Sequence, residues 1–203
     1  MTPIQAMQGF MVIDHFIDNP EAVRESALRS GFGAWRPASS EFGPGQYTGL
    51  NYIGAHSGML RRLAQVCGQP IYPNAMFFRV TNEDTHPAYV HVDREDGEYT
   101  ALVYLSKHDG TESGTKFYQH KPTGDFVMAS VADLRKEPEK FEALKAQIMG
   151  ASDEHWKELC FVEGIYNRAL IFDARLYHSR YPKHGFGKTP EEGRMVWVCH
   201  FST

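Results

Sequence analysis

The chain has 203 residues, of which 42% are hydrophobic and 23% charged, and its 21 basic and 25 acidic side chains give a formal net charge of −4. At roughly 150 residues per domain, this length predicts a single domain, residues 1–203, with a full hydrophobic core. The mild acidity argues against binding to nucleic acid or to an anionic membrane surface. No apolar run approaches the roughly 18 residues of a membrane span, and the start has no signal-peptide pattern, so a cytoplasmic location is expected.

The histidine content is the first indication of chemistry. The chain contains 10 His, 13 Phe, 10 Tyr and 3 Trp residues, which suits an aromatic, β-rich core that holds imidazole side chains. Its 3 cysteines, Cys67, Cys160 and Cys199, are far apart and form no C-x-x-C pair. We therefore predict neither disulfides nor a thiolate zinc site.

The N-terminal part of the chain, residues 1–74, is predicted to be a helical support region. After a short strand at 10–14, Asn19 is a candidate N-cap for a helix over residues 20–29, which has a proline at its first position. Apolar residues recur with helical spacing over residues 57–66, which predicts a second helix. These two helices are expected to cover a sheet.

From residue 75 onward the apolar period changes to two, which is typical of strands. A helical insertion at about 131–160, with predicted helices over roughly 131–149 and 153–160, interrupts this pattern. Many short strands behind two helices predict a mainly β fold, with a jelly roll of about eight strands over residues 75–203, and an open α+β sandwich is the alternative. The predicted strands are 75–80, 88–93, 99–105, 114–118, 167–172 and 194–201.

The tripeptide His91-Val92-Asp93 lies within a predicted strand. Side chains two residues apart on a strand point to the same face, so an imidazole and a carboxylate lie side by side. His178 follows a later strand and could reach the same point, because distant strands become neighbours in a sheet. Two histidines and one carboxylate with open positions opposite suit non-haem Fe(II) oxygen activation. A lone H-x-D is common by chance, but the ordered set with His178 favours a metal site.

Arg194 opens the last predicted strand. A guanidinium binds a carboxylate through two parallel hydrogen bonds, so an arginine buried beside a metal site is typical of an anion site. The alternative is a surface ion pair with Glu191 or Glu192.

Three other residues have the strand parity to line the same interior. His200 shares the parity of Arg194, and the alternative for it is a hydrogen-bonded core histidine. Arg79 and Tyr89 could line the pocket, or they could be a solvated arginine and a core tyrosine.

Residues 89–201 resemble the Fe(II)- and 2-oxoglutarate-dependent dioxygenases, most of all the prolyl-4-hydroxylase-like branch. In that branch the H-x-D motif is followed by a turn, a strand ending in Tyr-Leu-Ser or Tyr-Leu-Asn, and a glycine-bearing hairpin leading to an aromatic strand. This chain has the same order and spacing, and the resemblance implies a double-stranded β-helix, the jelly roll of that family. The segments that carry it are 89–97, 101–106, 113–118, 168–172, His178 and 194–197.

The resemblance implies that His91, Asp93 and His178 hold Fe(II). It also implies that Arg194 binds the distal carboxylate of 2-oxoglutarate and that the Tyr104 hydroxyl bonds the same carboxylate. Members of this family consume dioxygen and 2-oxoglutarate, release succinate and carbon dioxide, and hydroxylate a C–H bond. Related halogenases replace the carboxylate ligand by a small residue, so Asp93 favours hydroxylation.

Two segments depart from the family pattern. The interval from His178 to Arg194 is 16 residues, which is longer than usual in that branch. It leaves Lys183 as an alternative anchor for the co-substrate, although Lys183 lies in a predicted loop and Arg194 opens a strand. The insertion at 131–160 has no counterpart in the family and could cover the site or serve assembly.

Other functions stay open at this point. A non-catalytic, metal-containing binding module could keep the fold, but it has no reason to retain Arg194. A zinc-dependent hydrolase could use the same three ligands, but no motif supplies a general base, and a cupin-type dioxygenase would have a paired H-x-H. The expected partners are dioxygen and an unidentified small-molecule or peptide substrate, and the N-terminal helices could support a homodimer.

Overall fold

The computed structural model describes residues 9–30, 46–47, 53–93, 96–107, 112–129, 136–148, 150 and 152–203. This part of the chain is mainly β, with few helices and two antiparallel sheets, as the sequence predicts. In chain order its elements are β1 (Phe10–Ile13), α1 (Pro20–Ser30), β2 (Gln46–Tyr47), α2 (Ile53–Cys67), β3 (Tyr72–Thr81), β4 (Tyr99–Tyr104), β5 (Gly114–His120), α3 (Pro138–Gln147), β6 (Trp156–Glu163), β7 (Ala169–Asp173), β8 (His178–Tyr181) and β9 (Arg194–Ser202).

Both predicted N-terminal helices are confirmed. Helix α1 begins as its sequence predicts, because the Asn19 side-chain oxygen accepts the backbone N–H of Ala22 at 3.1 Å and Pro20 occupies the first helical position, where no N–H is needed. Helix α2 buries Met59, Leu63 and Cys67, which recur every fourth residue. Within the described ranges, no helix has the length and apolar character needed to cross a membrane.

The larger sheet has six strands in the order β1-β7-β4-β9-β3-β2. Its central strands β4 and β9 are buried almost throughout, because both faces of the sheet are covered. The outer face, with residues such as Val103 and Trp197, packs against α1 and α2. The inner face, with residues such as Leu102, Val196 and Val198, packs against the smaller sheet.

The smaller sheet has the order β6-β5-β8. The predicted strand at 88–93 is wrong as a regular strand, although this segment does run antiparallel beside β8. It makes only scattered backbone hydrogen bonds there, including a reciprocal pair between His91 and His178 at 2.9 and 3.0 Å and one from Asp93 N–H to the Ala174 carbonyl at 2.8 Å. The partner positions drift along the segment, so no continuous ladder forms.

The insertion at 131–160 is only partly helical. Helix α3 lies within it, and residues 131–135, 149 and 151 of the insertion lie outside the described residues. The predicted helix over 153–160 is wrong, because strand β6 begins at Trp156. Strand β6 pairs with β5, but Cys160 and Glu158 are opposite consecutive β5 residues, so Leu159 bulges out of the ladder. Because of the bulge, Trp156 packs in a separate cluster with Tyr118 and with Leu144 of α3, whereas Val162 lies between the sheets. The alternation of faces that marks a strand is therefore broken.

Candidate metal centre

Three side chains from separate parts of the chain meet beside the core between the two sheets. Nε2 of His91 lies 3.6 Å from Oδ1 of Asp93, and Nε2 of His178 lies 3.3 Å from Oδ2. The two imidazole centroids are 4.4 Å apart. One ligand atom from each residue lies within 4.8 Å of the others, so the structure brings together the three ligands that the sequence predicted.

Both histidines present the same ring nitrogen to Asp93. Nδ1 of His91 lies 2.8 Å from the Tyr89 carbonyl, and Nδ1 of His178 lies 2.9 Å from the Leu176 carbonyl. Because a carbonyl oxygen only accepts hydrogen bonds, Nδ1 carries the proton in each neutral ring. Each Nε2 therefore keeps its lone pair and is free to bind a metal.

Asp93 is oriented from the larger sheet. The Thr100 hydroxyl of β4 donates to Oδ2 of Asp93 at 2.9 Å, and its oxygen lies 3.0 Å from Nδ1 of His200 on β9. The single hydroxyl proton goes to Asp93, so His200 Nδ1 must donate to Thr100. Asp96 also approaches Asp93 and His200, but it is exposed.

The electrostatics of the cluster favour the protonation states that a metal requires. Burial, with the neighbouring His178, lowers the pKa of His91 to about 4, so its ring is neutral at pH 7. Burial works against ionisation of Asp93, but the imidazoles around it, His178 first, outweigh burial and hold the pKa of this carboxyl well below its usual range. The cluster thus offers a neutral imidazole at His91 and a carboxylate at Asp93, which are the states in which these groups bind a metal.

Arg194 is a buried cation on the inner face of β9. Its Nη2 donates to the Gly114 carbonyl at 3.0 Å, whereas Nε and Nη1 have no partner among the described residues. A Cβ on Gly114 would lie 2.1 Å from the Val162 carbonyl oxygen, so only glycine allows β5 and β6 to come this close beside Arg194. Burial lowers the pKa of Arg194 to about 10, which leaves it charged at pH 7. Because Arg194 is buried, the surface ion pair with a neighbouring glutamate does not form.

Tyr104 and Lys183 are placed very differently. The Arg194 guanidinium carbon lies 5.6 Å from the centroid of the buried Tyr104 ring, and the Tyr104 hydroxyl lies 2.8 Å from the hydroxyl oxygen of Thr115. Burial raises the pKa of Tyr104, so it is a neutral hydroxyl beside the cation. Lys183 instead binds the exposed carboxylate of Asp153 at the surface, so the geometry favours Arg194 as the anion site.

The remaining candidates also have clear positions. His200 faces the interior and supports Asp93 through Thr100. Tyr89 contributes its backbone carbonyl to His91. Arg79 lies on the inner face of β3, and its buried Nε has no partner in the described part of the chain.

Sequence reasoning missed Thr100, Thr81 and Thr115. Thr100 supports Asp93, Thr115 bonds Tyr104, and Thr81 lies opposite Arg194 in the β3–β9 ladder. Threonine is common on strands, so its presence carries no indication of function. Only the cross-strand register, which the sequence does not reveal, identifies these hydroxyls.

Comparison with protein families gives one match. A profile of the family described as "Family of unknown function (DUF6445)" matches residues 2–201, almost the whole chain. No curated protein sequence matches the chain.

Solved structures share this fold at low sequence identity. AviO1 from Streptomyces viridochromogenes Tue57 is 13% identical, with a TM-score of 0.59 and coverage of 96% of this chain and 90% of that one. HygX from Streptomyces hygroscopicus, with nickel and 2-oxoglutarate bound, is 15% identical, with a TM-score of 0.58 and coverage of 99% and 87%. The epimerase SnoN, in complex with Fe3+, alpha ketoglutarate and nogalamycin RO, is 13% identical, with a TM-score of 0.55 and coverage of 95% and 78%. Metal and 2-oxoglutarate are thus bound by two proteins of the same fold.

Proposed function

The chain belongs to this family of unknown function, and we propose that it is an Fe(II)- and 2-oxoglutarate-dependent oxygenase that hydroxylates a C–H bond. The substrate is a small molecule or a peptide. One oxygen atom of O2 enters succinate as 2-oxoglutarate loses carbon dioxide, and the other enters the C–H bond as a hydroxyl group. Bound Fe(II) supplies the activation of O2.

The observation that carries this proposal is the buried guanidinium of Arg194, whose Nε and Nη1 have no partner among the described residues, in the same interior as the three-residue cluster. A buried arginine with two nitrogen atoms that lack an acceptor is stabilised by an anion that accepts a hydrogen bond from one of them and balances the charge. The distal carboxylate of 2-oxoglutarate has that chemistry. A zinc hydrolase would leave these donors without a role.

The cluster fits an iron that keeps open positions. His91, Asp93 and His178 offer two imidazole nitrogens and one carboxylate, and this group contains no fourth His, Cys, Asp or Glu among the described residues. Three ligands on one side leave room for the two oxygens of a 2-oxo acid and for O2. Thr100 fixes the carboxylate, while Arg194, with Tyr104 beside it, orients the co-substrate.

The strand topology supports the double-stranded β-helix as the finer description of the fold. Strands β3, β4, β7 and β9 lie in the larger sheet, while β5, β6, β8 and the segment at 88–93 form the smaller side. The chain therefore passes back and forth between the sheets, as in a jelly roll. The prolyl-4-hydroxylase-like branch remains part of this proposal and is supported by the order of the sequence segments.

The test is an anaerobic titration of the metal-free protein with Fe(II) and then with 2-oxoglutarate. We expect a weak visible charge-transfer band that saturates with one 2-oxoglutarate per chain. In His178→Ala the iron affinity should fall by more than the roughly 10–100-fold that the loss of a supporting partner costs, and the band should disappear. His155→Ala, which alters a partly exposed histidine paired with Glu154, is the matched control and should keep the band. Stoichiometric iron binding without a band would refute the co-substrate assignment.

A further inference from the structure

At one end of the β3–β9 pair lie four buried polar atoms that have no partner in the part of the chain that the structure describes. They are Nε of Arg79, Oγ1 of Thr81, and Nε and Nη1 of Arg194. Thr81 pairs with Arg194, and Arg79 pairs with Val196 of the inner core. Because paired residues share a face, as do alternate residues along a strand, all three polar side chains lie on the inner face. Buried donors are normally satisfied, so this region fits ligands that accept hydrogen bonds.

Along the inner face of the larger sheet, Arg79 lies between Arg194 and the position that holds Asp93. Arg79 is opposite Val196, two residues from Arg194, whereas Thr100, which donates to Asp93, is opposite His200. Burial is the main cause of the lowered pKa values of Arg194 and His91, and the positive charge of Arg79 lowers both further. Neither Arg79 nor Arg194 forms an ion pair with a carboxylate in the ranges that the structure describes.

The charges of the loaded site leave Arg79 unbalanced. The charge of Fe(II) and that of Arg194 are cancelled by the Asp93 carboxylate and the two carboxylates of 2-oxoglutarate. On the β3–β9 pair, the guanidinium charge that remains is that of Arg79. A cation with a buried, unpartnered donor is costly unless an anion pairs with it.

Two anions are needed because the two cations occupy different cross-strand pairs. Arg194 and Thr81 face each other and can share one carboxylate. Arg79 precedes Thr81 by two residues on β3, which separates the two positions by roughly 7 Å along the strand. We propose that Arg79 binds an anionic group, a carboxylate, sulfate or phosphate, of the substrate that is oxidised. This inference rests on the proposed function and names the substrate class of the same site.

The experiment uses inorganic sulfate as the probe, because sulfate has the required charge and is a poor iron ligand. Equilibrium dialysis with radiolabelled sulfate is carried out on the anaerobic protein loaded with Fe(II) and saturating 2-oxoglutarate. The wild type should bind one sulfate per chain. Arg79→Gln should weaken sulfate binding at least about tenfold, while Arg79→Lys should retain it within about threefold. Arg29→Gln, an exposed arginine paired with Glu25, is the matched control and should change nothing.

The charge-transfer band separates the two hypotheses. If the wild type shows no band, the proposed function fails, whatever sulfate does. If the band forms but sulfate does not bind saturably, or binds equally well to Arg79→Gln, the substrate assignment is overturned. Loss of the band on adding sulfate, or a tenfold loss of 2-oxoglutarate affinity in Arg79→Gln, would place Arg79 in the co-substrate site and also overturn it. Thermal unfolding of the ligand-free variants checks that the fold is intact.

Discussion

Arg194 shows how one buried charge can specify a ligand. Its Nη2 is satisfied by a backbone carbonyl, and its other two donors point to no protein acceptor in the described chain. Arg194→Gln should therefore lose the co-substrate rather than the metal. Removing one partner of a buried charge pair costs roughly 2–5 kcal/mol, so 2-oxoglutarate affinity should fall at least about 30-fold, with iron affinity unchanged within about twofold.

The same titration of the visible band measures both constants. Lys183→Gln is the control, because Lys183 pairs with Asp153 at the surface. This variant should bind 2-oxoglutarate as the wild type does. A loss of affinity in Lys183→Gln but not in Arg194→Gln would make the lysine the anchor.

At this scale, sequence patterns identify the charged residues of the candidate site but not the hydroxyl groups that support them. His91 and Asp93 share a face even though their segment is not a regular strand, because spacing by two survives in any extended backbone. His178 could be connected to them only through the resemblance and the expectation that strands meet. Thr100 and Thr81 depend on which strand is the neighbour and in which register, which is a property of the whole sheet.

At the scale of the element, β4 and β9 together orient the Asp93 carboxylate. Thr100 and His200 are directly paired in this ladder, and their side chains form the chain of hydrogen bonds that ends on Asp93. Thr100→Val keeps the shape but removes the donor to Asp93. Iron affinity should fall about 10–100-fold, as for the loss of a partner that orients a ligand.

Thr115→Val is the matched control for this prediction. It removes a buried hydroxyl that bonds Tyr104 and does not touch Asp93. Iron affinity in Thr115→Val should stay within about twofold of the wild type. Equal iron affinity in both variants and the wild type would show that Asp93 needs no support from β4.

The elements that sequence patterns missed are those with broken periodicity. Strand β6 changes face at Leu159, so its apolar residues do not alternate and imitate a helical spacing. The segment at 88–93 has the right residue types, but it lies at an edge and pairs only intermittently. Sequence patterns predict β4 and β9 well because both faces of these strands are buried and most of their residues are β-branched, aromatic or otherwise apolar.

At the scale of the whole molecule, the fold has three layers, which are the helices α1 and α2, the larger sheet and the smaller sheet. The candidate site lies between the two sheets, away from the helices. The helices α1 and α2 cover the outer face of the larger sheet, whereas the metal cluster and Arg194 lie on its inner side. His56 of α2 joins the helix layer to the sheet, because Trp197 Nε1 donates to its Nδ1 at 2.8 Å. Its Nε2 is buried without a partner among the described residues. The helix layer therefore contains a titratable group remote from the proposed chemistry.

Acid should weaken this contact. Burial lowers the pKa of His56 below its ordinary value of 6.5, and protonation would place the second proton of the ring on Nδ1, which could then no longer accept from Trp197. Below about pH 6.5 the unfolded chain binds this proton more readily than the folded chain, so stability present at neutral pH is lost as the pH falls toward the folded pKa. One such proton changes the free energy of unfolding by at most about 1.4 kcal/mol per pH unit.

His56→Gln isolates this effect, because glutamine can still accept from Trp197 but does not titrate. Urea unfolding at neutral pH and at about pH 5 gives the loss of stability for each protein. His91 and Asp93 titrate equally in both proteins, so their contributions cancel in the comparison. The wild type should lose more unfolding free energy than His56→Gln. Equal losses would mean that the helix layer binds the sheet independently of this imidazole, and that the acid sensitivity comes from other groups, such as Asp14 and Glu21, whose ion pairs lower their pKa values.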